Sequence, residues 1–168
     1  MNVTLAHVPH AEMYIRIVVS ALLGFLIGWD RESKSKPAGL KTYMYVCVAS
    51  TLITLISIFS VAEFSSLADR MMMDPMRLAA QIVAGLGFLG AGVILKDGLQ
   101  VKGLTSAAMI LFAGGVGIGI GAGFYGIVTF TVVVSMLMAK IGNAVEKRKL
   151  LRSKAKLAES EVVHHSSV

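Results

Sequence analysis

The sequence has little charge and little cysteine, and both shortages narrow the class of protein. Only 15% of the 168 residues are charged, whereas 55% are apolar and the mean hydropathy is +0.74. Ordinary soluble domains carry about a quarter charged residues, so the composition excludes a disordered chain and a typical cytosolic enzyme. The single cysteine, Cys47, has no partner within the chain, which excludes an internal disulfide and a disulfide scaffold.

Patterns of catalytic and metal-binding residues are also missing. The chain has no Ser/His/Asp arrangement, no Cys/His cluster at metal-ligand spacing, and no Asp or Glu in the middle of an apolar run. Magnesium would normally require such carboxylates. Two G-x-G-x-x-G matches, at 85–90 and 121–126, lack the strand and the acidic residue of a dinucleotide site. We therefore expect no enzyme activity, no cofactor and no resident metal ion.

Long apolar runs occupy most of the chain and indicate a lipid bilayer as its solvent, because one soluble core could not bury them all. A spanning helix needs about 20 residues, with a working range of about 17 to 25. Glycines at 121, 123 and 126 allow a turn within the last apolar tract. The sequence predicts an all-α polytopic membrane protein with about five glycine-rich transmembrane helices, over 13–29, 42–61, 78–95, 104–120 and 124–139.

Basic residues flank these runs and predict the orientation of the chain. The net charge is +6, but four basic residues lie in 31–41 and six in 147–156, which is typical of membrane proteins and does not favour a nucleic-acid partner. An N-terminus outside and a C-terminus in the cytoplasm would place 13 of the 16 Lys and Arg residues inside. The predicted organisation is an extracytoplasmic N-terminus (1–12), a transmembrane domain (13–139) and a basic cytoplasmic tail (140–168). The first span is predicted to be retained, since no basic residue precedes it.

The role of the basic tail is left open between two interpretations. Its basic residues would be attracted to anionic lipid headgroups, by about 1 kcal/mol for each one near the surface. The alternative is a solvated segment that only sets the topology.

Small residues four positions apart allow helices in lipid to approach closely. Several glycines have this spacing or reduce the side-chain bulk of a predicted span. The helix faces that they form can serve packing within the chain or contacts in a homo-oligomer. A pore lined by glycine carbonyls is the sharper alternative. The predicted packing residues are Gly24, Gly28, Gly85, Gly87, Gly90, Gly92, Gly115, Gly119 and Gly123.

Ionisable residues lie near the ends of the predicted spans. At the outer side, Arg16 and Arg77 have Glu12, Asp69 and Asp74 as candidate partners. At the inner side, 30–32 faces the basic residues of 34–41 and Lys96 and Lys102. Such charges are consistent with interfacial anchoring or with two layers of buried ion pairs that have a specific task.

Several fragments in a fixed order resemble the MgtC/SapB family of bacterial membrane proteins, over the stretch from Arg16 to roughly Ala139. The fragments are Arg16, Gly24-x-x-x-Gly28-x-Asp30-Arg31-Glu32, Lys36-Pro37-Ala38-Gly39-Leu40-Lys41-Thr42, Asp74-Pro75-x-Arg77, Gly85-x-Gly87-Phe88-Leu89-Gly90-Ala91-Gly92 and Gly103-Leu104-Thr105-Ser106-Ala107-Ala108. Five positions of the chain depart from the family pattern. Asp30 stands where the family usually has Glu, Lys41 where it has Arg, Tyr43 where it has His, Ser106 where it has Thr and Leu111 where it has Trp.

The resemblance implies functional residues and a biological context. The candidate site residues are Arg16, Asp30, Arg31, Glu32, Lys41, Thr42, Asp74, Arg77, Thr105 and Ser106. Members of the family are inner-membrane proteins linked to growth in low magnesium and to virulence, and some are described as inhibitors of ATP synthase. Many carry a soluble C-terminal domain, and we expect it to be absent here because few residues follow the last apolar segment.

Besides a purely structural assembly subunit, two functions are consistent with the residues and the resemblance. The first is a non-enzymatic protein that modulates membrane partners, ATP synthase among them, under magnesium or acid stress. The alternative is a magnesium or other cation transporter or channel, with Asp30, Glu32 and Asp74 at its mouths.

Overall fold

A computed structural model describes residues 10–32, 37–64 and 74–165 of the chain. These residues contain five helices, which we number α1 (His10–Glu32), α2 (Leu40–Phe64), α3 (Arg77–Val93), α4 (Leu104–Gly121) and α5 (Tyr125–His165). The predicted all-α polytopic fold is therefore confirmed. The chain divides into two compact units, Met1–Val128 and Thr129–Val168, so that α5 begins in the first unit and provides the described part of the second.

Helix length separates α3 from the other four helices. Within the described residues, four helices are long and apolar enough to cross a membrane, over His10–Trp29, Leu40–Val61, Leu104–Gly121 and Tyr125–Val145. The helix α3 is apolar but has only 17 residues, which is the lower limit of about 17 for a span. All five predicted apolar segments are thus helical, and α3 is the shortest of them.

The connection between α3 and α4 differs from the prediction. The third helix was expected to extend to Leu95, but it ends at Val93 because Ile94 adopts an extended backbone. A short antiparallel hairpin follows, made of β1 (Leu95–Asp97) and β2 (Gln100–Lys102). Gly98, at φ 59°, provides the left-handed conformation that tight hairpin turns favour, and Gly103, at φ 91°, leads into α4.

The last helix also extends beyond the predicted span. Its apolar part ends at Val145, but the helix continues through the basic tail to His165. Residues 144–158 consist mostly of Ala, Leu, Lys, Arg and Glu, which are strong helix formers, and they contain no proline. The predicted tail 140–168 is therefore helical over most of its length.

Glycines bring α1 into backbone contact with α2. A Cβ atom at Gly24 would lie 2.8 Å from Met44 Cα, and one at Gly28 would lie 2.7 Å from Leu40 Cα. Neither distance is tolerated by real Cβ atoms, so these glycines are required by the close approach of the two helices. The helix pair depends on two of the predicted packing residues.

The helix α4 approaches α2 in the same way, whereas most of α3 does not. A Cβ atom at Gly121 would lie 2.8 Å from Thr54 Cβ, and one at Gly117 would overlap the carbonyl of Cys47. The helix α3 packs through one buried stripe, in which Gly90 faces Ala107 of α4. A Cβ atom would meet nothing within 4 Å at Gly85, Gly87, Gly92 and Gly115.

The difference between the two groups of glycines predicts opposite effects of the same substitution. We expect Gly24→Ala to destabilise the protein by about 1–3 kcal/mol, because the added methyl group overlaps the backbone of α2. Gly85→Ala should leave stability unchanged or raise it by up to about 1 kcal/mol, because alanine is the better helix former at an open position. Unfolding in SDS, followed by the fluorescence of Trp29, measures both variants. Equal effects would contradict the packing described.

Candidate functional site

Buried polar side chains follow the contact between α1, α2 and α4 in the first unit. On α1 they share one face with Gly24 and Gly28, because their positions are three or four residues apart. We call this set the polar seam; it consists of Arg16, Ser20, Arg31, Ser50, Thr51, Thr54 and Ser106. The two arginines lie at opposite ends of the seam.

At one end of the seam, Arg16 connects α1 to the end of α4. Only 8% of Arg16 is exposed. Its Nη2 and Nε donate to Glu12 Oε1 at 2.6 and 3.2 Å, and its Nη1 donates to the carbonyl oxygen of Gly121 at 2.6 Å. The guanidinium also lies 5.7 Å from the centre of the Tyr125 ring, at a distance suited to a cation–π interaction. Arg16 therefore contacts α4 and α5 in addition to its own helix.

The structure selects one of the three predicted partners of Arg16. Glu12, one turn earlier on α1, forms the ion pair and also accepts a hydrogen bond from Tyr125 Oη at 3.4 Å. Asp74 instead accepts from the backbone N–H of Met76 at 2.9 Å, at the start of α3. Asp69 lies outside the described residues. Gly123, at φ 84°, sits against the guanidinium, so it serves the turn after α4 and does not pack one helix on another.

At the other end of the seam, Arg31 connects α1 to the start of α4. Arg31 is 7% exposed, and its Nη2 donates to Ser106 Oγ at 3.3 Å. Its Nε has no hydrogen-bond partner among the described residues. The neighbouring Glu32 accepts from the backbone N–H of Leu40 at 2.9 Å, which joins the end of α1 to the start of α2. The side chain of Asp30, a predicted site residue, lies outside the described part of the structure.

Hydroxyl groups hold the middle of the seam together. Thr51 Oγ1 of α2 donates to the carbonyl oxygen of Gly117 of α4 at 2.8 Å and shares a hydrogen bond with Ser20 Oγ of α1 at 2.7 Å. One threonine side chain thus contacts both neighbouring helices. The buried thiol of Cys47 adds a contact to the carbonyl of Ala113 at 3.2 Å.

The other candidate residues lie away from the seam. Lys41, Thr42, Arg77 and Thr105 are exposed at the starts of their helices. The basic residues of the predicted inner loop are divided as well: Lys102 pairs with Asp97 within the hairpin at 2.7 Å, and Lys34 and Lys36 lie outside the described residues. Among the residues that the structure describes, no group of three His, Cys, Asp or Glu side chains is placed to hold a metal ion.

Sequence reasoning missed Ser20, the α1 hydroxyl in the middle of the seam. The signal was present, because Ser20 lies four residues after Arg16 and four before Gly24 and therefore on the same helical face. The arrangement as a whole fixes three helices against one another by hydrogen bonds at both ends and in the middle.

The contacts of Arg16 predict that a lysine cannot replace it. Arg16→Lys keeps the charge, but it cannot donate to Glu12 and to the Gly121 carbonyl in the same geometry. We expect a loss of about 1–3 kcal/mol in the free energy of unfolding. Arg77→Lys, at an exposed position of α3, is the matched control and should change stability by less than about 0.5 kcal/mol. Detergent-solubilised protein unfolded in SDS gives both values, and similar values for the two variants would contradict a connecting role for Arg16.

A second pair of variants tests the Arg31 end. Ser106→Ala removes an acceptor from a buried guanidinium and should cost about 1–3 kcal/mol of stability. Thr105→Ala, one residue earlier and exposed, should have an effect near zero. The midpoint of thermal unfolding in detergent distinguishes the two. An unchanged midpoint of thermal unfolding for Ser106→Ala would show that the hydrogen bond to Arg31 contributes nothing to stability.

Comparison with known proteins places the chain in a family. The family model described as MgtC family matches residues 17–148. Protein SapB of Bacillus subtilis is 46% identical over 115 residues, which cover 68% of this chain and 49% of that protein. The putative magnesium transporter YhiD of Escherichia coli K12 is 37% identical over 131 residues, covering 78% of this chain and 60% of YhiD.

Protein MgtC of Salmonella typhimurium LT2 is 37% identical over 109 residues, covering 65% of this chain and 43% of MgtC. No solved structure matches the chain. The chain thus spans about half the length of the curated relatives it matches. With the family match over most of its length and an identity of 46% to SapB, the chain belongs to the MgtC family.

Proposed function

We propose that this chain is a non-enzymatic protein of the bacterial inner membrane that modulates another membrane protein through helix contacts during adaptation to low magnesium. The observation that carries the proposal is the open face of α3. Gly85 and Gly92 lie seven residues apart and therefore on one face of the helix, and neither has a neighbour within 4 Å of a Cβ position, whereas Gly24 and Gly28 are enclosed by α2. In lipid, small residues on an open helix face favour association with another helix.

The shape of α3 supports the proposal. Its buried residues are Ala79, Ile82, Leu86 and Gly90, at intervals of three or four. They form one stripe along α3 that faces the other helices of the first unit. Phe88, exposed to 81%, has the small residues Ala84, Gly85, Ala91 and Gly92 three or four positions away on the same side of the helix. A large aromatic side chain among small residues offers a knob and a groove to a partner helix. The 17 residues of α3 are about 26 Å long at about 1.5 Å per residue, which is less than the thickness of about 30 Å of the apolar layer.

The polar seam supports the proposal by holding the helices that carry α3. Arg16, Thr51 and Arg31 bond to α4, the helix against which α3 packs. The seam acts in the proposed function as a rigid base, and α3 acts as the contact surface. The family resemblance suggests ATP synthase as the partner, and a role in acid stress and virulence belongs to the same proposal.

The alternative, transport of magnesium or another cation, rests on the similarity to YhiD, a putative magnesium transporter. Of its candidate mouth residues, Glu32 accepts from the backbone N–H of Leu40 and Asp74 from that of Met76. Both carboxylates are exposed, and each accepts a hydrogen bond at the start of a helix. Transport is therefore the opposing outcome in the experiment with liposomes.

The proposal predicts that bulk on the open face of α3 abolishes modulation without unfolding the protein. Inverted membrane vesicles that contain ATP synthase are assayed for ATP-driven proton pumping, with and without the chain. We expect pumping to fall when the chain is present and to recover with Gly85→Leu and Gly92→Leu together, whose SDS unfolding should equal that of the unsubstituted protein. Leu22→Ala, at an exposed position of α1, is the control and should leave modulation intact.

Purified protein in liposomes that contain a magnesium-sensitive dye provides the opposing test. The proposal predicts no magnesium uptake above protein-free liposomes. Saturable uptake, abolished by Glu32→Gln at unchanged protein content, would replace modulation with transport. Unchanged proton pumping in the presence of the chain would reject ATP synthase as the partner.

A further inference from the structure

The hairpin between α3 and α4 exposes apolar side chains at its tip and along its strands. Leu99, in the turn, is fully exposed at 104%, and Leu95 and Val101 are exposed to 61% and 49%. Leu104 follows at 58% where α4 begins. Four apolar side chains therefore lie bare within ten residues, an unfavourable arrangement if the surrounding medium is water.

The hairpin cannot move far from the apolar layer, because it is joined at both ends to apolar helices of that layer. The helix α3 ends at Val93 and α4 begins at Leu104. Each strand has three residues, which at about 3.3 Å per residue gives a length of about 10 Å. The headgroup region on one side of a bilayer is of similar depth, about 5–8 Å. Leu99 is thus confined to the neighbourhood of the membrane surface.

The two faces of the hairpin differ in polarity. Cross-strand pairing places Leu95, Asp97, Gln100 and Lys102 on one face, where Lys102 Nζ and Asp97 Oδ2 are 2.7 Å apart and neutralise each other. The opposite face carries Val101 and Lys96 as a facing pair. Lys96 forms no ion pair with the described residues, so the hairpin keeps one uncompensated positive charge beside an apolar side chain.

We propose that the hairpin of Leu95–Asp97 and Gln100–Lys102 is an interfacial anchor for an anionic bilayer surface. The side chain of Leu99 enters the boundary between headgroups and acyl chains, together with Val101. Lys96 extends from the same face to the lipid phosphates, because a lysine can lay its alkyl stem along apolar surface and keep its ammonium at the polar boundary. On the opposite face, Asp97 and Gln100 near the tip stay in water, whereas Leu95 lies at the base of the hairpin, two residues after the end of α3. This inference is independent of the function proposed above.

Continuity with the membrane-embedded helices and charge complementarity together select this occupant. The two helices bring the hairpin to the bilayer, and Lys96 matches the negative charge of anionic headgroups. The left-handed glycines Gly98 and Gly103 hold the turn and the entry to α4 in fixed conformations. The anchor would therefore set the depth of α3 and α4 in the bilayer.

Tryptophan fluorescence tests the anchor in the intact chain. Trp29 is the single tryptophan, so Trp29→Phe provides a silent background. Leu99→Trp in this background is reconstituted into phosphatidylcholine vesicles with and without phosphatidylglycerol. We expect blue-shifted emission, strong quenching by lipids brominated on their acyl chains, and several-fold weaker quenching by aqueous acrylamide than for free tryptophan. Gln100→Trp, the next residue, is the matched control and should show the reverse pattern.

The contribution of the charge is tested with Lys96→Glu added to Leu99→Trp. Acrylamide quenching should increase in vesicles that contain phosphatidylglycerol and stay the same in phosphatidylcholine alone. Quenching of the Leu99→Trp variant by acrylamide as strong as that of the Gln100→Trp variant would overturn the proposal. Protection from both quenchers would also overturn it, since the tip would then be covered by protein, either a second copy or a partner.

Discussion

The close approach of α1 to α2 is the constraint on which the rest of the structure depends. Lipid tails are as apolar as leucine, so helices in a bilayer gain little from hydrophobic burial and associate through close packing and hydrogen bonds. Gly24 and Gly28 remove the side chains that would separate the two backbones. The resulting distance brings Ser20 within 2.7 Å of Thr51, which reaches α4 in turn. Close packing and hydrogen bonding are therefore one feature of the fold.

The two buried arginines extend this interaction to the ends of the helices. They lie on the same helix, fifteen residues and about 22 Å apart, and both contact α4. A buried guanidinium is costly unless its donors are satisfied, so each arginine favours the arrangement in which α4 stays in place. Among the described residues, α3 has no buried arginine that bonds it to a neighbouring helix. The fold thus combines a tightly held group of three helices with a helix in which Gly85, Gly87 and Gly92 remain open.

The sequence was sufficient for the five apolar helices, their order and the family, because a bilayer requires long apolar runs and the motifs occur in a specific order. It could not separate Gly24 from Gly85, since both have the spacing of packing residues and only the neighbouring helix decides which is enclosed. The hairpin was missed because two strands of three residues give too short a pattern. Arg16 was predicted to matter, but its bond to the carbonyl of Gly121 joins residues 105 positions apart and has no sequence signal.

The most direct test of the account is the distance between α1 and α2 in the membrane. In a Cys47→Ala background, cysteines replacing Ser20 and Thr51 would occupy positions whose hydroxyl oxygens are 2.7 Å apart. We expect a nearly complete intramolecular disulfide on mild oxidation of membranes. Cysteines that replace Leu22 and Thr51 should cross-link little, because Leu22 lies on the exposed face of α1. Equal yields for the two pairs, or cross-links only between separate chains, would contradict it.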